Sequence, residues 1–328
     1  MAVALVALDY SRPIQPVFEQ ASRTGTVHSV FRKALNIVAG DTMLAVLSSE
    51  LSRMPNSARL PAIVMHRLYT SLHPGMQVSI GDGKLLIPAI DFTLRLPQEP
   101  AWEPRPDVAA HHWHRVSIAR HSRLLAQHLA QKARQDGLAP LAAPLLLRRP
   151  ARETPLAQRA LPLLQLLVRA CRLEDSAGVE EAARGLVGLG PGLTPSGDDT
   201  LAGFVSVMAL LSAQLCADAL PREHLASIIA STAQPRTTRL SATLLAHAAR
   251  GELAEHVGTL LTALALPVEE SQMLLHAADR VLAYGAYSGG DTLLGMLLGL
   301  QALGIENTLH ESGEYHGHTG VAQAKYLL

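Results

Sequence analysis

The chain has 328 residues, 48% of them hydrophobic, which is enough for a large buried core and makes two domains the natural expectation. Its 28 basic residues balance 28 acidic ones, which excludes a broad electrostatic surface for nucleic acid or an anionic membrane. The two cysteines, Cys171 and Cys216, lie in apolar segments and exclude a disulfide scaffold and a cysteine-based zinc site.

Three apolar segments bear on where the protein works. The N-terminal run is interrupted early by Asp9 and lacks a basic flank, so it is a poor signal peptide. Leu201–Leu220 is long enough to span a bilayer, which takes about 20 residues, but it contains Gln214 and Asp218. Thr292–Leu303 is too short. Both segments are therefore predicted to be central helices of a cytoplasmic protein, not membrane spans.

Short apolar runs separated by turn residues fill the first hundred residues. The Asp-Gly pair at 82–83 is a strong hairpin signal, because both residue types tolerate the positive φ angles of a tight turn. The predicted strands are Gly25–Ser29, Ala34–Val38, Met43–Leu47, Ala62–Met65, Gln77–Ile80, Lys84–Ile87 and Ile90–Leu96. Ser49–Arg53 is predicted to be a short helical interruption. Many short strands close together predict a barrel-like or sandwich-like domain.

A proline-rich segment, Gln98–Asp107, is predicted to be a linker, because its three prolines continue neither a strand ladder nor a helix. Helical periodicity begins after it. The predicted helices are His114–Gln135, Pro155–Arg172, Gly178–Leu186, Ser196–Leu220, Arg222–Thr232, Thr237–Arg250, Leu253–Leu266, Val268–Tyr284 and Ser288–Leu303. The fold class is therefore α+β: a strand-rich domain over residues 1–105, an all-helical domain over 106–306, and a polar, disordered tail over 307–328.

Two segments of the helical half resemble each other, and each opens a very apolar helix. Ser196-Gly-Asp-Asp-Thr-Leu-Ala-Gly-Phe204 aligns with Ser288-Gly-Gly-Asp-Thr-Leu-Leu-Gly-Met296. One interpretation is purely structural, since Ser-x-x-Asp is a capping box, and Gly203 and Gly295 allow two helices to approach closely. The two helices are predicted to be buried and adjacent, which brings the shared acid of each motif into one pocket.

The run Gly-Leu-Gly-Pro-Gly-Leu-Thr-Pro at 188–195 goes beyond what a helix cap requires. Glycines expose backbone N–H groups beside a helix N-terminus, which predicts a site for phosphate or carboxylate. The run is not a Walker loop, because no lysine follows it, and not a Rossmann fingerprint, because no strand precedes it. Asp198, whose counterpart is Gly290, would repel an anion unless it carries a cation or a proton. Asp198 and Asp199 are therefore predicted to hold Mg²⁺ or to act as a general base.

Other side chains complete the set of candidates. Arg236 and Arg239 suit bidentate binding of a carboxylate, although solvent-exposed arginines at a helix start explain the same pattern. The cluster His111–His114 has one nearby acid, Asp107, and is a weak pattern for a metal site. The predicted catalytic acids are Asp198, Asp199 and Asp291. The residues predicted to bind the anion are Gly190, Gly192, Thr194, Ser196, Gly197, Arg236, Arg239, Ser288 and Gly289.

The run Gly188–Asp199, together with Thr237–Ser241 and Ser288–Gly295, resembles a bacterial family long catalogued as a domain of unknown function. That family includes the H-type subunit of oxamate carbamoyltransferase from anaerobic allantoin degradation. The resemblance covers most of the chain, including the strand-rich part. The glycine-rich run is highly specific for the family and much less specific for the reaction.

The resemblance implies transfer of a carbamoyl group between an amide-type nitrogen and phosphate, in a complex with other subunits. Oxalurate and phosphate would give oxamate and carbamoyl phosphate, and N–H donors would stabilise the charge that develops on the carbamoyl oxygen. Two alternatives stay open: a non-catalytic subunit that binds an anion or a nucleotide, and a hydrolase that acts on amides. If Asp198 handles a cation or a proton in the transfer, Asp198→Asn is expected to leave folding intact and abolish activity.

Overall fold

Ten short strands form one mixed sheet in the first third of the chain. The structure, a computed structural model, describes residues 3–99, 101–134, 136–150, 154–216, 223–234 and 236–305. The strands are β1 (Val3–Val6), β2 (Asp9–Ser11), β3 (Arg23–Phe31), β4 (Ala34–Ala39), β5 (Thr42–Ser48), β6 (Ser57–Leu60), β7 (Gln77–Gly81), β8 (Lys84–Ile87), β9 (Phe92–Arg95) and β10 (Ala101–Trp102). Two short helices interrupt them, α1 (Gln15–Glu19) and α2 (Ala62–Tyr69).

The sheet curls so that its two ends are joined by consecutive residues. The strand order is β1-β9-β8-β7-β3-β4-β5-β6-β2-β10, and only Ala7 and Leu8 separate β1 from β2 along the chain. The Ala7 N–H donates to the carbonyl of Arg95 on one side, and the Leu8 N–H donates to that of Arg59 on the other, both at 2.9 Å. This half-barrel confirms the predicted strand-rich N-terminal part.

One predicted strand, Ala62–Met65, is wrong, because this segment begins helix α2. Pro61 stands at the N-cap of that helix. Met65 and Leu68, three residues apart, are buried, whereas Ile63 is 61% exposed. The apolar residues therefore form one face of a helix and do not alternate as a strand would.

The helical interruption predicted at Ser49–Arg53 is also wrong, because the segment is an irregular turn. Its backbone and side chains are committed to other contacts: the Arg53 N–H and the Arg53 guanidinium both donate to Glu255, at 3.2 and 2.7 Å. Four strands were not predicted, β1, β2, β6 and β10, each with two to four residues. Such strands are too short for a clear period, and β10 lies inside the predicted linker.

Ten helices come after the sheet within the described residues. They are α3 (Arg115–Lys132), α4 (Ala142–Leu146), α5 (Pro155–Arg172), α6 (Ser176–Leu186), α7 (Ser196–Leu215), α8 (Glu223–Ala233), α9 (Arg239–Ala249), α10 (Glu255–Ala263), α11 (Ser271–Leu282) and α12 (Ser288–Ala302). The α+β fold class is confirmed. Nine of these helices have a predicted counterpart with ends that differ by at most five residues, whereas α4 was not predicted. The predicted tail from 307 to 328 lies outside the described residues.

Three helices begin where the sequence supplies a capping side chain. Thr154, Asp175 and Thr238 accept hydrogen bonds from backbone N–H groups in the first turns of α5, α6 and α9. Each cap satisfies a donor that has no partner inside its own helix. The last of these caps sets the start of α9, which lies beside the glycine-rich run.

Helices α7 and α12 form the centre of the helical region, as predicted. Their apolar side chains are almost all buried, and the two backbones touch at the paired glycines of the repeated motif. A Cβ atom on Gly203 would overlap the carbonyl oxygen of Thr292, and one on Gly295 would overlap that of Thr200. No helix among the described residues is long and apolar enough to cross a membrane.

A small ionic network fixes the sheet against the helical region. Arg53, in the turn after β5, contacts Asp9 of the sheet at 3.2 Å and Glu255 of α10 at 2.7 Å. Burial opposes ionisation of Asp9, but hydrogen bonds and charges from Arg59 and Arg53 lower its pKa. The Glu255 N–H also donates to the Arg53 carbonyl at 3.0 Å, so the contact is held by backbone and by charge.

We expect Gly295→Ala to lower the free energy of unfolding by about 3 kcal/mol, because the added methyl group has no space against the backbone of α7. Gly258→Ala in α10 is the matched control, since its Cβ would meet only Pro106, at 3.3 Å. That control should change stability by less than about 1 kcal/mol, as helix propensity favours alanine. Urea denaturation measures both. Equal stabilities of the two variants would contradict the close backbone contact.

Candidate functional site

The glycine-rich run turns the chain from α6 into α7. Gly188, Gly190 and Gly192 have φ angles of 74°, 115° and 98°, a region that glycine adopts without steric strain. Space is also limiting, because a Cβ on Gly188 would lie 2.8 Å from the carbonyl oxygen of Arg236. Gly188 and Gly190 therefore require glycine for both conformational and packing reasons, and Gly192 requires it for its conformation alone.

The backbone N–H groups of this region fall into two sets. The first turn of α7 is closed internally, since Gly197 donates to the carbonyl of Leu189 and Asp198 and Asp199 donate to that of Pro195. In the loop, the N–H groups of 192–194 have no acceptor among the described residues. The loop, more than the helix start itself, therefore offers donors to an anion.

The capping-box interpretation of the repeated motif is wrong. The N-cap of α7 is Pro195, and that of α12 is Tyr287, and neither helix has a side-chain cap. Ser196 and Ser288 lie inside the first turns instead. The acids of the two motifs are consequently free to bind other segments, and the three of them have three different environments.

Asp198 ties the glycine-rich loop to the start of α9. Its Oδ1 accepts from the Gly188 N–H at 2.9 Å, and its Oδ2 accepts from the Thr237 hydroxyl. The side chain is 2% exposed. Burial raises the pKa of the carboxyl, and hydrogen bonds from Thr237, Gly188 and Ser241 oppose that rise. This carboxylate therefore has a structural role that the sequence motif did not indicate.

Asp291 is sealed inside the protein. Its Oδ1 accepts from the N–H groups of Leu138 and Ala139 at 2.6 and 2.9 Å, and the residue is fully buried. Gly137 packs against the carboxyl with no room for a side chain. Burial raises the pKa of Asp291 to about 6, and nearby Ser196 opposes the rise without reaching hydrogen-bond geometry.

Asp199 is the one acid of the three that combines a buried, unpartnered oxygen with a place in the lining of a cleft. Its Oδ2 has no hydrogen-bond partner among the described residues. Burial raises the pKa of Asp199 to about 8, while Ser288 and Thr194 oppose the rise and the charges of Asp291 and Asp198 add to it. At neutral pH the group is therefore mostly a carboxylic acid that is able to donate a proton.

The acid of each motif lies beside the serine of the other motif. Ser288 of α12 lies beside Asp199 of α7, and Ser196 of α7 lies beside Asp291 of α12. The Ser288 hydroxyl also meets that of Thr194 at 3.2 Å, which links the glycine-rich loop to the second helix start. The two halves thus have related geometry, but only the Asp199 half opens to a cleft.

That cleft lies between the curled sheet and the helical region and has two compartments. The inner chamber, with a cavity volume of about 70 Å³, is enclosed by α7, α9, α10 and the turn at 54–55. The outer cleft lies between β4, β5 and the loops at 191–194 and 284–288. Residues common to both compartments are Met54, Asp199, Leu244, Tyr284 and Ser288. Asp199 therefore stands where the compartments join.

Several predicted site residues lie elsewhere. Arg236 and Arg239 are both exposed, and neither lines the cleft. The Arg239 guanidinium lies 3.9 Å from Asp41. Gly197 and Gly289 serve packing, because a Cβ on either would overlap a backbone carbonyl oxygen. Thr194, Gly192 and Ser288 do line the outer cleft, whereas Gly190 lines a separate shallow pocket.

The Mg²⁺ hypothesis for Asp198 and Asp199 stays a prediction. Two oxygen atoms of Asp198 already accept hydrogen bonds. Within the part of the chain that the structure describes, which includes the cluster His111–His114, no three side chains of His, Cys, Asp or Glu are grouped as metal ligands.

Two cleft residues were missed by the sequence analysis. His256 lines the inner chamber and stacks on Tyr284, with ring centroids 4.6 Å apart and an interplanar angle of 25°. Burial lowers the pKa of His256 to about 4, and the charge of Arg280 adds to the effect. A histidine on a helix carries no motif by itself. Tyr284 lies four residues before Ser288 in the sequence, and this proximity to a predicted site residue was the only sequence feature that could have indicated it.

Two models of known protein families match the chain. One, described as oxamate carbamoyltransferase subunit AllH, matches residues 186–300, which contain the glycine-rich run and both motifs. The other, described as the AllH family N-terminal domain, matches residues 6–100, which contain most of the curled sheet. Together they cover most of the chain. No solved structure matches it.

We expect Asp198→Asn to destabilise the protein by about 1–3 kcal/mol, because an amide NH₂ would face a donor that the carboxylate now accepts from. Asp175→Asn is the matched control. Asp175 caps α6, and asparagine caps a helix as well as aspartate does, so that variant should be nearly neutral. Thermal and urea unfolding compare the two. An unchanged melting temperature for Asp198→Asn would argue against its structural role.

Stability should also depend on pH through Asp199. Between its ordinary pKa of about 4 in the unfolded chain and about 8 in the folded protein, the folded state binds more protons. The free energy of unfolding should therefore fall as pH rises through this window, relative to Asp199→Asn, which does not titrate. Urea denaturation of both proteins from pH 4 to pH 9 measures the difference. A difference that stays constant with pH would show that Asp199 ionises normally.

Proposed function

The chain belongs to the AllH family, and from this membership we propose that it is a carbamoyltransferase subunit whose cleft at Asp199 binds small anionic substrates and takes part in the transfer. The family description names a subunit, so other chains are expected in the active complex. The proposed substrates are oxalurate and phosphate, with oxamate and carbamoyl phosphate as products.

The reaction itself defines what the site has to supply. An oxygen of phosphate attacks the carbamoyl carbon of oxalurate, a new C–O bond forms, and the C–N bond to the oxamate nitrogen breaks. The leaving nitrogen needs a proton, and hydrogen phosphate loses one, so charge and atoms balance without an external reactant. A group that holds a proton at neutral pH is suited to deliver it to that nitrogen.

The observation that carries the proposal is the raised pKa of Asp199 together with its position. Burial keeps this carboxyl protonated at neutral pH, and its unpartnered Oδ2 is available to a ligand. It lines both compartments, beside Ser288 and the loop that carries Thr194. In the proposed roles, Asp199 is the general acid, and the hydroxyl groups of Thr194 and Ser288 position it.

The outer cleft suits the anionic part of the substrates. The N–H groups of Gly192, Leu193 and Thr194 have no acceptor among the described residues and border this compartment. Backbone donors in a glycine-rich loop bind phosphate and carboxylate oxygens, and they stabilise negative charge that develops in a transition state. Arg239 directly precedes Leu240, which lines the outer cleft, and is expected to attract anions without binding them directly.

Two other functions give different results in the same assay. A non-catalytic subunit would bind phosphate or oxalurate but would leave turnover unchanged when Asp199 is replaced. An amide hydrolase would cleave oxalurate without phosphate, to oxamate with ammonia and carbon dioxide, or to oxalate with urea. Assaying the isolated chain and the reconstituted complex, each with and without phosphate, separates these cases. A parallel assay with EDTA and added Mg²⁺ tests whether Asp198 and Asp199 hold a metal ion.

We expect Asp199→Asn to lower kcat for phosphate-dependent carbamoyl transfer in the reconstituted complex by ~10²–10⁴-fold, the usual contribution of a general acid. The amide keeps the size of the side chain, so the fold and complex assembly should be retained. Asp279→Asn on α11 is the matched control, because Asp279 contacts His128 away from the cleft. Full activity of Asp199→Asn would contradict the proposed role of this residue.

A further inference from the structure

The inner chamber contains a second buried polar group that the proposed reaction does not use. His256 is 3% exposed, and its Nδ1 has no hydrogen-bond partner among the described residues. The imidazole is held by stacking on Tyr284 at 4.6 Å. Asp199 contributes the other unpartnered polar atom of the same chamber. Two such atoms in one buried space are costly unless a ligand satisfies them.

The walls between these two groups are largely apolar. The apolar lining includes Met54, Ala202, Leu244, Ala248, Leu253 and Val257, and Ser206, Ser241 and Thr292 add hydroxyl groups. A ligand group in this chamber would lose its hydration, so each of its polar atoms needs a partner in the protein. The chamber therefore selects for a group whose donors and acceptors match the two unpartnered atoms.

Charge further restricts the ligand. No lysine or arginine is among the described residues that line the chamber. Glu252 accepts from His247 at 2.6 Å and from Arg250 at 2.8 Å, so its charge is compensated. The carboxylate of Asp198 accepts from Gly188 and Thr237. The charge of Arg280 acts on His256 from outside the lining. An anion in this chamber would therefore be desolvated with no cationic side chain in contact with it, which is strongly unfavourable.

We propose that the inner chamber is the subsite for an uncharged carbamoyl group, –CO–NH₂, and that His256 is a specificity-determining residue for it. The carbamoyl group is planar and neutral, and it offers a hydrogen-bond donor and an acceptor side by side. The raised pKa of Asp199 and the lowered pKa of His256 leave both side chains neutral near pH 6–7, in keeping with a neutral ligand. This subsite rests on the proposed function, because the proposed substrate oxalurate has a neutral carbamoyl end and an anionic carboxylate end. The two ends are assigned to different compartments.

In this arrangement the ureido end of oxalurate enters the inner chamber, and the carboxylate and the phosphate stay in the outer cleft. The residues shared by the two compartments include Asp199, so the bond that breaks lies beside the proposed general acid. Discrimination against a carboxylate in place of the carbamoyl group results from the missing counter-charge. A site that lacks a cation rejects the charged analogue more strongly than it favours the neutral one.

Binding to the full-length chain tests the subsite without any need for turnover. The probes are N-methylurea, oxalurate without phosphate, and inorganic phosphate alone, measured by calorimetry near pH 7. His256→Phe keeps a ring that stacks on Tyr284 and removes both nitrogen atoms. We expect it to weaken N-methylurea and oxalurate roughly tenfold, as for one buried hydrogen bond, and to leave phosphate unchanged. His256→Asn, which places an amide near the position of Nδ1, should restore part of the affinity.

The matched control is His121→Phe, because His121 is also buried with one unpartnered nitrogen and does not line the chamber. It should bind all three probes like the parent chain. If His256→Phe does not fold, Ala248→Leu, which fills the chamber, provides the comparison against Ala246→Leu on the same helix. Thermal melting accompanies each variant.

The subsite is overturned if N-methylurea binds His256→Phe as tightly as the parent chain, or if phosphate competes with N-methylurea. It is also overturned if N-methylurea does not displace oxalurate. If the parent complex transfers carbamoyl groups but neither it nor the parent chain binds N-methylurea, the subsite is wrong and the proposed function still stands. Urea-type binding that depends on His256, in a complex without carbamoyl transfer, would support the subsite and contradict the reaction.

Discussion

The architecture of the site depends on the contact between the backbones of α7 and α12. Gly203 and Gly295 bring the helices so close that no side chain fits between them, and this fixes the relation of the two helix starts. Each start then places its acid beside the serine of the other. Because protein interiors are close-packed and contain few voids, the packed helices and not the adjacent loops set the positions of these acids.

Asp198, Asp199 and Asp291 have the same side chain, but their different environments give them different roles. Asp198 and Asp291 accept backbone N–H groups and hold loops in place, whereas Asp199 lines the cleft with an oxygen that has no partner among the described residues. Desolvation disfavours the charged form in all three, but hydrogen-bond donors offset it to different degrees. A carboxyl that remains protonated beside an open cleft is the kind of group that acid catalysis requires.

Local pattern in the sequence was enough to predict the long helices. The period of apolar residues and the Gly and Pro positions placed nine of them, and the repeated Ser-Gly motif predicted the central pair. The short helices α1, α2 and α4, of five to eight residues, were not predicted. Prediction failed where residues distant in the sequence determine the contacts or the orientation of a side chain. Asp198 accepts a hydrogen bond from Thr237, which lies 39 residues away in the sequence. His256 lines the inner chamber because of the way α10 packs. Arg236 is exposed, and a linear motif encodes none of these three placements. The apolar run at Ala62–Met65 was ambiguous because strands and short helices share such runs.

The turn that contains Arg53 and Met54 belongs to the strand-rich part, yet Met54 lines both compartments and Arg53 binds Glu255 on the helical side. The cavity is thus a joint product of two regions that separate family models recognise. A change in the backbone or side chains of either region alone would alter the volume and polarity of the cavity that binds a ligand. In related chains, changes in this turn and in the start of α10 should therefore occur together, and a helical region without its sheet would present Asp199 to bulk water.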